Sequence, residues 1–379
     1  MVTPQFKEVR RAYGFEEIAI VPGEVTVNPD QTSTEFSVTG TTLAAPILAS
    51  AMDAVVSPTF ASKMDDLGGL AVMNLEGIQT KYDNPAEQIA KIINAPNESV
   101  TELLQTIYEA PTRDDLVGTR VEEIKASGAK CAVSVTPAST NWLAPIAEEA
   151  GADVLVIQST VTTARHVSKS VRGLVFSEFL ETVNIPVFVG NCVTYNAALE
   201  LMETGIDGIL VGVGPGAACT TREVTAVGVP QVTATMDCAA AREEYFRRSG
   251  KYVPIITDGG IRTGGDLCKA FACGANAVMI GSPLAQSEEA PASGYNWGMA
   301  TPHPALPRGT RVNVGVNGSL KQILYGPSSR TDGTQNLIGA LEICMGMVGA
   351  FNIRDMHKAG VVVAPAIKTE GKYYQLGTE

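Results

Sequence analysis

Eight short apolar runs punctuate the chain, at 43–49, 69–73, 131–135, 153–157, 186–189, 207–211, 254–257 and 275–280. They are rich in Val and Ile and do not alternate in polarity, which is how strands covered on both faces read. Amphipathic stretches of helix length separate most of them, among them 144–150, 171–182, 197–204 and 265–273. Several stop at a glycine (Gly128, Gly151, Gly205, Gly274), a residue that suits the left-handed turn just past a helix. The repeated β/α unit predicts a single (β/α)8 barrel domain over residues 1–379. The alternative is a doubly wound open sheet, which would use fewer strands.

Two regions break the rhythm. Residues 76–120 form one long connection with helix-like pieces at 86–93 and 102–108. Residues 293–333 are rich in Gly, Pro, Asn and Ser, with few periodic apolar positions. Long irregular loops in compact domains usually carry function. This one follows the eighth strand, where it can fold over the barrel mouth as a mobile flap.

Composition narrows the function classes. A formal net charge of −12 argues against general binding to nucleic acid or anionic membranes. The seven cysteines are scattered, odd in number and without a C-x-x-C pair, so neither a disulfide framework nor a zinc site is expected. The three histidines have no metal-ligand spacing. A reducing cytoplasm fits this usage. Residues 1–11 are polar and charged, unlike a signal peptide, and no apolar run is long enough to span a bilayer.

The densest chemistry follows the run at 207–211. There the chain reads Gly212-Val213-Gly214-Pro215-Gly216-Ala217-Ala218-Cys219-Thr220-Thr221-Arg222-Glu223. Three glycines in five residues let backbone turn tightly and approach a ligand. A cysteine at the far end of such a loop, with backbone N–H groups aimed at it, is a candidate nucleophile. The competing reading is a small buried cysteine beside a structural turn. The seventh and eighth runs end in Asp258-Gly259-Gly260 and Gly281-Ser282. Loops at those positions of a barrel frequently bind phosphate through backbone N–H groups.

Taken together, the motifs resemble those of the IMP dehydrogenase/GMP reductase family over nearly the whole chain. Gly212–Glu223 is similar to that family's catalytic loop, and Ser50-Ala51-Met52-Asp53-Ala54-Val55 to its turn after the first strand. Gly190-Asn191-Cys192-Val193-Thr194, Gly228–Ala234, Ile256–Arg262 and Val278–Ser282 follow in the family's order, and Thr369-Glu370-Gly371 resembles a C-terminal cation-site segment. The resemblance implies NAD-dependent oxidation of IMP to XMP, with Cys219 adding to C2 of the base and a thioimidate forming on its sulfur. It implies Thr221 as a proton relay and Arg308, with Arg311 as the other candidate, as the water-activating base on the flap. It implies substrate contacts from Ser50, Met52, Asn191, Asp258, Gly259, Gly260, Gly281, Ser282, Gly298 and Met299. Gln158, Ser159, Gly212 and Gly214 would face the NAD. Carbonyls of Gly214, Gly216 and Cys219, with Glu370 and Gly371 of a neighbouring subunit, would hold K⁺ in a homotetramer or octamer.

The chain also departs from the family pattern. Gln158 stands where an aspartate is usual, Ala217 replaces a phosphate-binding serine, Arg308-Gly309 replaces an Arg-Tyr pair, and Val314 falls near a purine-reading glutamine. The 76–120 connection is too short for the nucleotide-sensing CBS modules, so no regulation through them is expected. The reductase lysine is absent from 71–76. GMP reduction with NADPH, and nucleotide binding without turnover, are the alternatives. Trp297 either stacks on a bound ring or anchors the flap.

Overall fold

The computed structural model describes residues 9–168, 173–298 and 311–364. Each of the eight apolar runs contains a strand of one closed parallel barrel. The barrel strands are β1 (Ile47–Ala49), β2 (Leu70–Asn74), β3 (Ala132–Val135), β4 (Val154–Gln158), β5 (Val187–Cys192), β6 (Gly208–Val211), β7 (Ile255–Asp258) and β8 (Ala277–Ile280). Pairing of Ile280 with Ala49 brings the last strand back to the first and excludes the open sheet. The lack of alternation along the strands now has its cause. Inward residues such as Leu48, Val72, Val156, Phe188 and Met279 fill the barrel. Outward ones such as Ile47, Met73, Leu155 and Ile209 pack beneath the helices.

The first run is not one strand. Thr41–Leu43 pairs antiparallel with Phe36–Val38, and only Ile47–Ala49 enters the barrel. Pro46 lies between them and cannot donate to a ladder. The hairpin places Phe36, Val38 and Leu43 against the inward residues, plugging one end of the barrel.

One helix accompanies each strand: α1 (Pro58–Asp66), α2 (Asp114–Ala126), α3 (Thr140–Glu149), α4 (Phe176–Phe179), α5 (Tyr195–Glu203), α6 (Gln231–Ser249), α7 (Gly264–Ala272) and α8 (Leu337–Val348). The helix expected over 171–182 is corrected: within its described part only Phe176–Phe179 is helical. The Thr182 hydroxyl bonds back to the Phe179 carbonyl at 2.7 Å and ends it early. The longest helix, α6, escaped the apolar pattern because its buried face is built from Gln231, Thr233, Thr235 and Arg242 among small residues.

The 76–120 connection folds into Ile78–Lys81, Pro85–Asn94 and Val100–Glu109 before α2. The described parts of 293–333 are more ordered than their composition suggests. Tyr295–Trp297 pairs antiparallel with Arg311–Asn313, and Leu320–Tyr325 is helical. Strand Ile18–Ile20 pairs with Val361–Val363 and ties the N-terminal segment to the stretch after α8.

Candidate active site

The C-terminal ends of the barrel strands open into a cavity of about 850 Å³. The loop after β6 forms one wall, and its shape is set by an arginine the motif reading had not singled out. Arg222 donates to the Val213 carbonyl at 3.2 Å and to the Val229 carbonyl at 2.5 Å. Its stem occupies the space a side chain would need at Gly214, where a Cβ would fall 2.5 Å from Arg222 Cγ and φ is +76°. Only glycine meets both conditions. Gln231, at the start of α6, donates to the carbonyls of Val211 (2.5 Å) and Asp258 (3.2 Å), locking the end of β6 to the end of β7.

On this braced loop Cys219 is exposed, whereas Cys131, Cys192, Cys238, Cys268 and Cys273 are buried. Burial pushes the Cys131 and Cys273 thiols up to about 12, which keeps them protonated and inert. The buried-cysteine reading of Cys219 therefore fails. Its thiol donates to the Thr221 hydroxyl at 3.3 Å. The expected ring of backbone N–H groups is corrected: among the described residues the thiol's hydrogen-bond partner is Thr221. The Cys219 N–H itself is taken by the Gly216 carbonyl at 3.0 Å.

Opposite Cys219 stand Asn191 and Asp258. A register shift in β5 between Gly190 and Cys192 turns Asn191 toward the mouth, as bulges do. Its amide donates to Asp258 Oδ2 at 2.7 Å. Burial pushes the Asp258 carboxyl up to about 6, although the Asn191 hydrogen bond pulls the other way. An acceptor-only carboxylate fixed by an amide suits a ligand bearing vicinal hydroxyls.

Gly260, Gly281 and Ser282 line the same end of the cavity, and their N–H groups have no partner among the described residues. Gly259 differs from the expectation. Its N–H already donates to the Met279 carbonyl at 3.0 Å, so it shapes the loop rather than binding an anion. Ser50 and Met52 form the floor, with Met52 Sδ 2.8 Å from where a Gly281 side chain would begin. Asn296, buried and not foreseen, donates to Ser282 Oγ at 3.1 Å. The N-terminal residues Gly14 to Glu17 also line this end, a contribution no motif announced.

Ser134, Thr136, Gln158, Ser159, Thr160, Glu76 and Lys81 line the same cavity. Gly212, Gly214 and Gly298 also line it. Glu76 accepts from the Thr136 N–H (2.6 Å) and the Ser139 hydroxyl (2.6 Å).

The structure chooses between the two readings of Trp297 and corrects that of Arg311. Trp297 is fully buried and anchors the flap. Arg311 is not a candidate base, because its guanidinium is committed to carbonyls of the 76–120 connection. Val314 does not line the cavity; its carbonyl receives the Gln286 amide at 2.7 Å. Met299, Arg308, Glu370 and Gly371 lie outside the described residues.

A closed parallel barrel with an exposed thiol on the loop after its sixth strand, beside a cavity at the C-terminal ends of the strands, has the layout of a (β/α)8 enzyme. The sequence matches the IMP dehydrogenase/GMP reductase domain over residues 12–371. It is 38% identical over 364 residues to an uncharacterized oxidoreductase of Mycobacterium leprae, covering 94% of this chain and 97% of that one. It is 30% identical over 387 residues to the inosine-5'-monophosphate dehydrogenase of Cryptosporidium parvum, covering 93% and 92%. A solved IMP dehydrogenase/GMP reductase-like protein from Corynebacterium glutamicum superposes with a TM-score of 0.89 at 36% identity, over 95% of this chain and 96% of that one. The chain belongs to the IMP dehydrogenase/GMP reductase family and is an oxidoreductase of that family.

Proposed function

We propose that the protein oxidises IMP to XMP with NAD⁺, through a covalent bond between Cys219 and C2 of the base. The observation that carries this is the exposed Cys219 thiol, hydrogen-bonded to Thr221 and facing a cavity whose far end offers Asp258, Asn191 and free N–H groups. Asp258 holds the ribose hydroxyls and Gly260, Gly281 and Ser282 the phosphate, which fixes the base against Cys219. The thiol gives up its proton along the Thr221 contact as the sulfur adds to C2. When bound, NAD⁺ supplies the acceptor for the hydride that leaves C2. Water then adds to C2, the C–S bond breaks, and Cys219 is regained.

The donor set fits a nicotinamide nucleotide. The hydroxyls of Ser134, Thr136 and Thr160 and the amide of Gln158 would hold its ribose and carboxamide. The Ser159 hydroxyl is partly committed, since it donates to the Val161 carbonyl at 2.9 Å. Arg308 is the proposed base for water. K⁺ would sit on the Gly214, Gly216 and Cys219 carbonyls, with one lone pair of Gly216 already used by the Cys219 N–H. The reading includes one barrel domain without CBS modules, a homo-oligomer and a cytoplasmic, thiol-reducing setting. Among the described residues no helix is long and apolar enough to cross a membrane.

One observation favours a second reading, reduction of GMP with NADPH. The stretch 71–76 lacks the reductase lysine, yet the same connection delivers Lys81 to the cavity, its ammonium 2.5 Å from the Ala110 carbonyl. The test is absorbance at 340 nm in K⁺ buffer, with IMP plus NAD⁺ in one cuvette and GMP plus NADPH in another. A rise in the first supports the dehydrogenase, and added adenine nucleotides leave its rate unchanged. A fall in the second with silence in the first replaces it by the reductase. Silence in both overturns turnover on either purine.

A further inference from the structure

The flap stem is held by ties that the chemistry at Cys219 does not use. Among the described residues three pairs join its two strands: Tyr295 with Asn313, Asn296 with Val312, and Trp297 with Arg311. A two-stranded ribbon of that length is marginal in water and cannot fix its own position. The rung of Trp297 and Arg311 carries two of its external ties, and the middle rung carries another, from Asn296 to Ser282.

Arg311 reaches into the C-terminus of the Pro85–Asn94 helix. It donates to the carbonyls of Ile92 (2.6 Å), Ile93 (2.8 Å) and Ala95 (2.9 Å) and to Asn97 Oδ1 (2.6 Å). These carbonyls lie at the helix C-terminus, where among the described residues only Ile92 has a backbone partner, the Ala95 N–H at 3.4 Å, and the helix dipole there favours a cation. The guanidinium also stacks over Tyr295, 5.1 Å from the ring centre. Trp297 donates through Nε1 to Tyr108 Oη at 2.9 Å, and Tyr108 donates to Asp53 Oδ2 at 2.7 Å. The same oxygen accepts the Ile78 N–H at 2.9 Å. Asp53 directly follows Met52 on the cavity floor, and the middle rung of the stem carries Asn296 to Ser282.

We propose that the 76–120 connection is a docking platform that fixes the hairpin of Tyr295–Trp297 and Arg311–Asn313, and with it Asn296 in the cavity lining, with Arg311 as the positioning residue. This rests on the flap reading of the proposed function. The fork of Arg311 spans three carbonyls and an amide at once, a geometry that a lysine point charge cannot reproduce.

The test compares wild type with Arg311→Met, Arg311→Lys and Asn97→Ala. Amide hydrogen exchange is followed at 295–297 and 311–313 and in the barrel strands, and kcat and KM are measured alongside. Arg311→Met is expected to speed exchange in the stem at least tenfold, with barrel-strand exchange unchanged. Its kcat falls at least tenfold while KM for the nucleotide moves less than threefold. Asn97→Ala, altered on the platform side, shifts both readouts in the same direction by less, and Arg311→Lys does not restore them. Unchanged stem exchange in Arg311→Met overturns the proposal. So does exchange that rises equally in stem and barrel, which would make Arg311 fold glue. Should Arg311→Met not fold, Arg311→Lys and Asn97→Ala decide on the same criteria. If wild type turns over neither purine, the proposed function fails while hydrogen exchange still decides the platform.

Discussion

Cys219 and Asp258 are ordinary side chains made useful by where they stand. Cys219 is exposed on a wall of the cavity, while five other thiols are sealed in the core. Cys219→Ala is expected to bind IMP within about threefold of wild type by calorimetry and to lose at least a thousandfold in turnover. Turnover within tenfold of wild type in that variant would refute covalent catalysis. Asp258 carries its own pH signature. Its carboxyl sits near 6 in the folded protein against an ordinary value of 3.8, so the folded state binds this proton more tightly than the unfolded chain does. Above pH 6 the ionised, desolvated carboxylate costs stability, and the cost fades as pH falls from 6 toward 4. The shift sets a ceiling of about 3 kcal/mol, and solvent reaching the cavity reduces it to about 1 kcal/mol. Asp258→Asn is therefore expected to melt higher than wild type at pH 8, with the gap narrowing at pH 5. A gap that does not change with pH would mean that the carboxyl titrates normally.

The loop after β6 is held in place by its neighbours more than by its glycines. Arg222 fills the space beside Gly214 and Gly228 and pins two carbonyls on opposite sides of the loop. Arg222→Met keeps the stem and removes both hydrogen bonds, leaving two carbonyls without their charged donor. A loss of about 2 kcal/mol in stability and at least tenfold in kcat is expected. Unaltered kinetics would show that the loop holds its shape through the Gln231 bridge alone. The flap hairpin follows the same logic one element further out, since its place is fixed by helices it does not belong to.

As a whole the molecule is a barrel with covered inner and outer faces and a plugged end, which leaves its open end for chemistry. One stripe remains apolar: Ile343, Met347 and Phe351 follow one another at helical spacing along α8 and its exit and stay exposed. That stripe supports the expected homo-oligomer. Sedimentation velocity at micromolar concentration should give a tetramer or octamer; a monomer would overturn this reading.

The sequence by itself determined the architecture and made the Cys219 loop legible. Strands buried on both faces must be apolar throughout, so eight such runs were legible, and each overlaps a barrel strand, the first only over Ile47–Ala49. The loop bearing Cys219 was legible too, because close backbone approach leaves glycine as its trace. What only the tertiary structure decided depends on partners far apart in the chain. Arg311 and Trp297 carry the residue types of a base and a stacking ring, and nothing local reveals that one caps a helix over two hundred residues away. Gly259 reads like Gly260 until the Met279 carbonyl claims its N–H. Lys81 reaches the cavity only because the connection folds back upon it. Hydrophobic periodicity is a local signal and specifies elements; the partner of a donor or a charge is a non-local fact that only the assembled fold supplies.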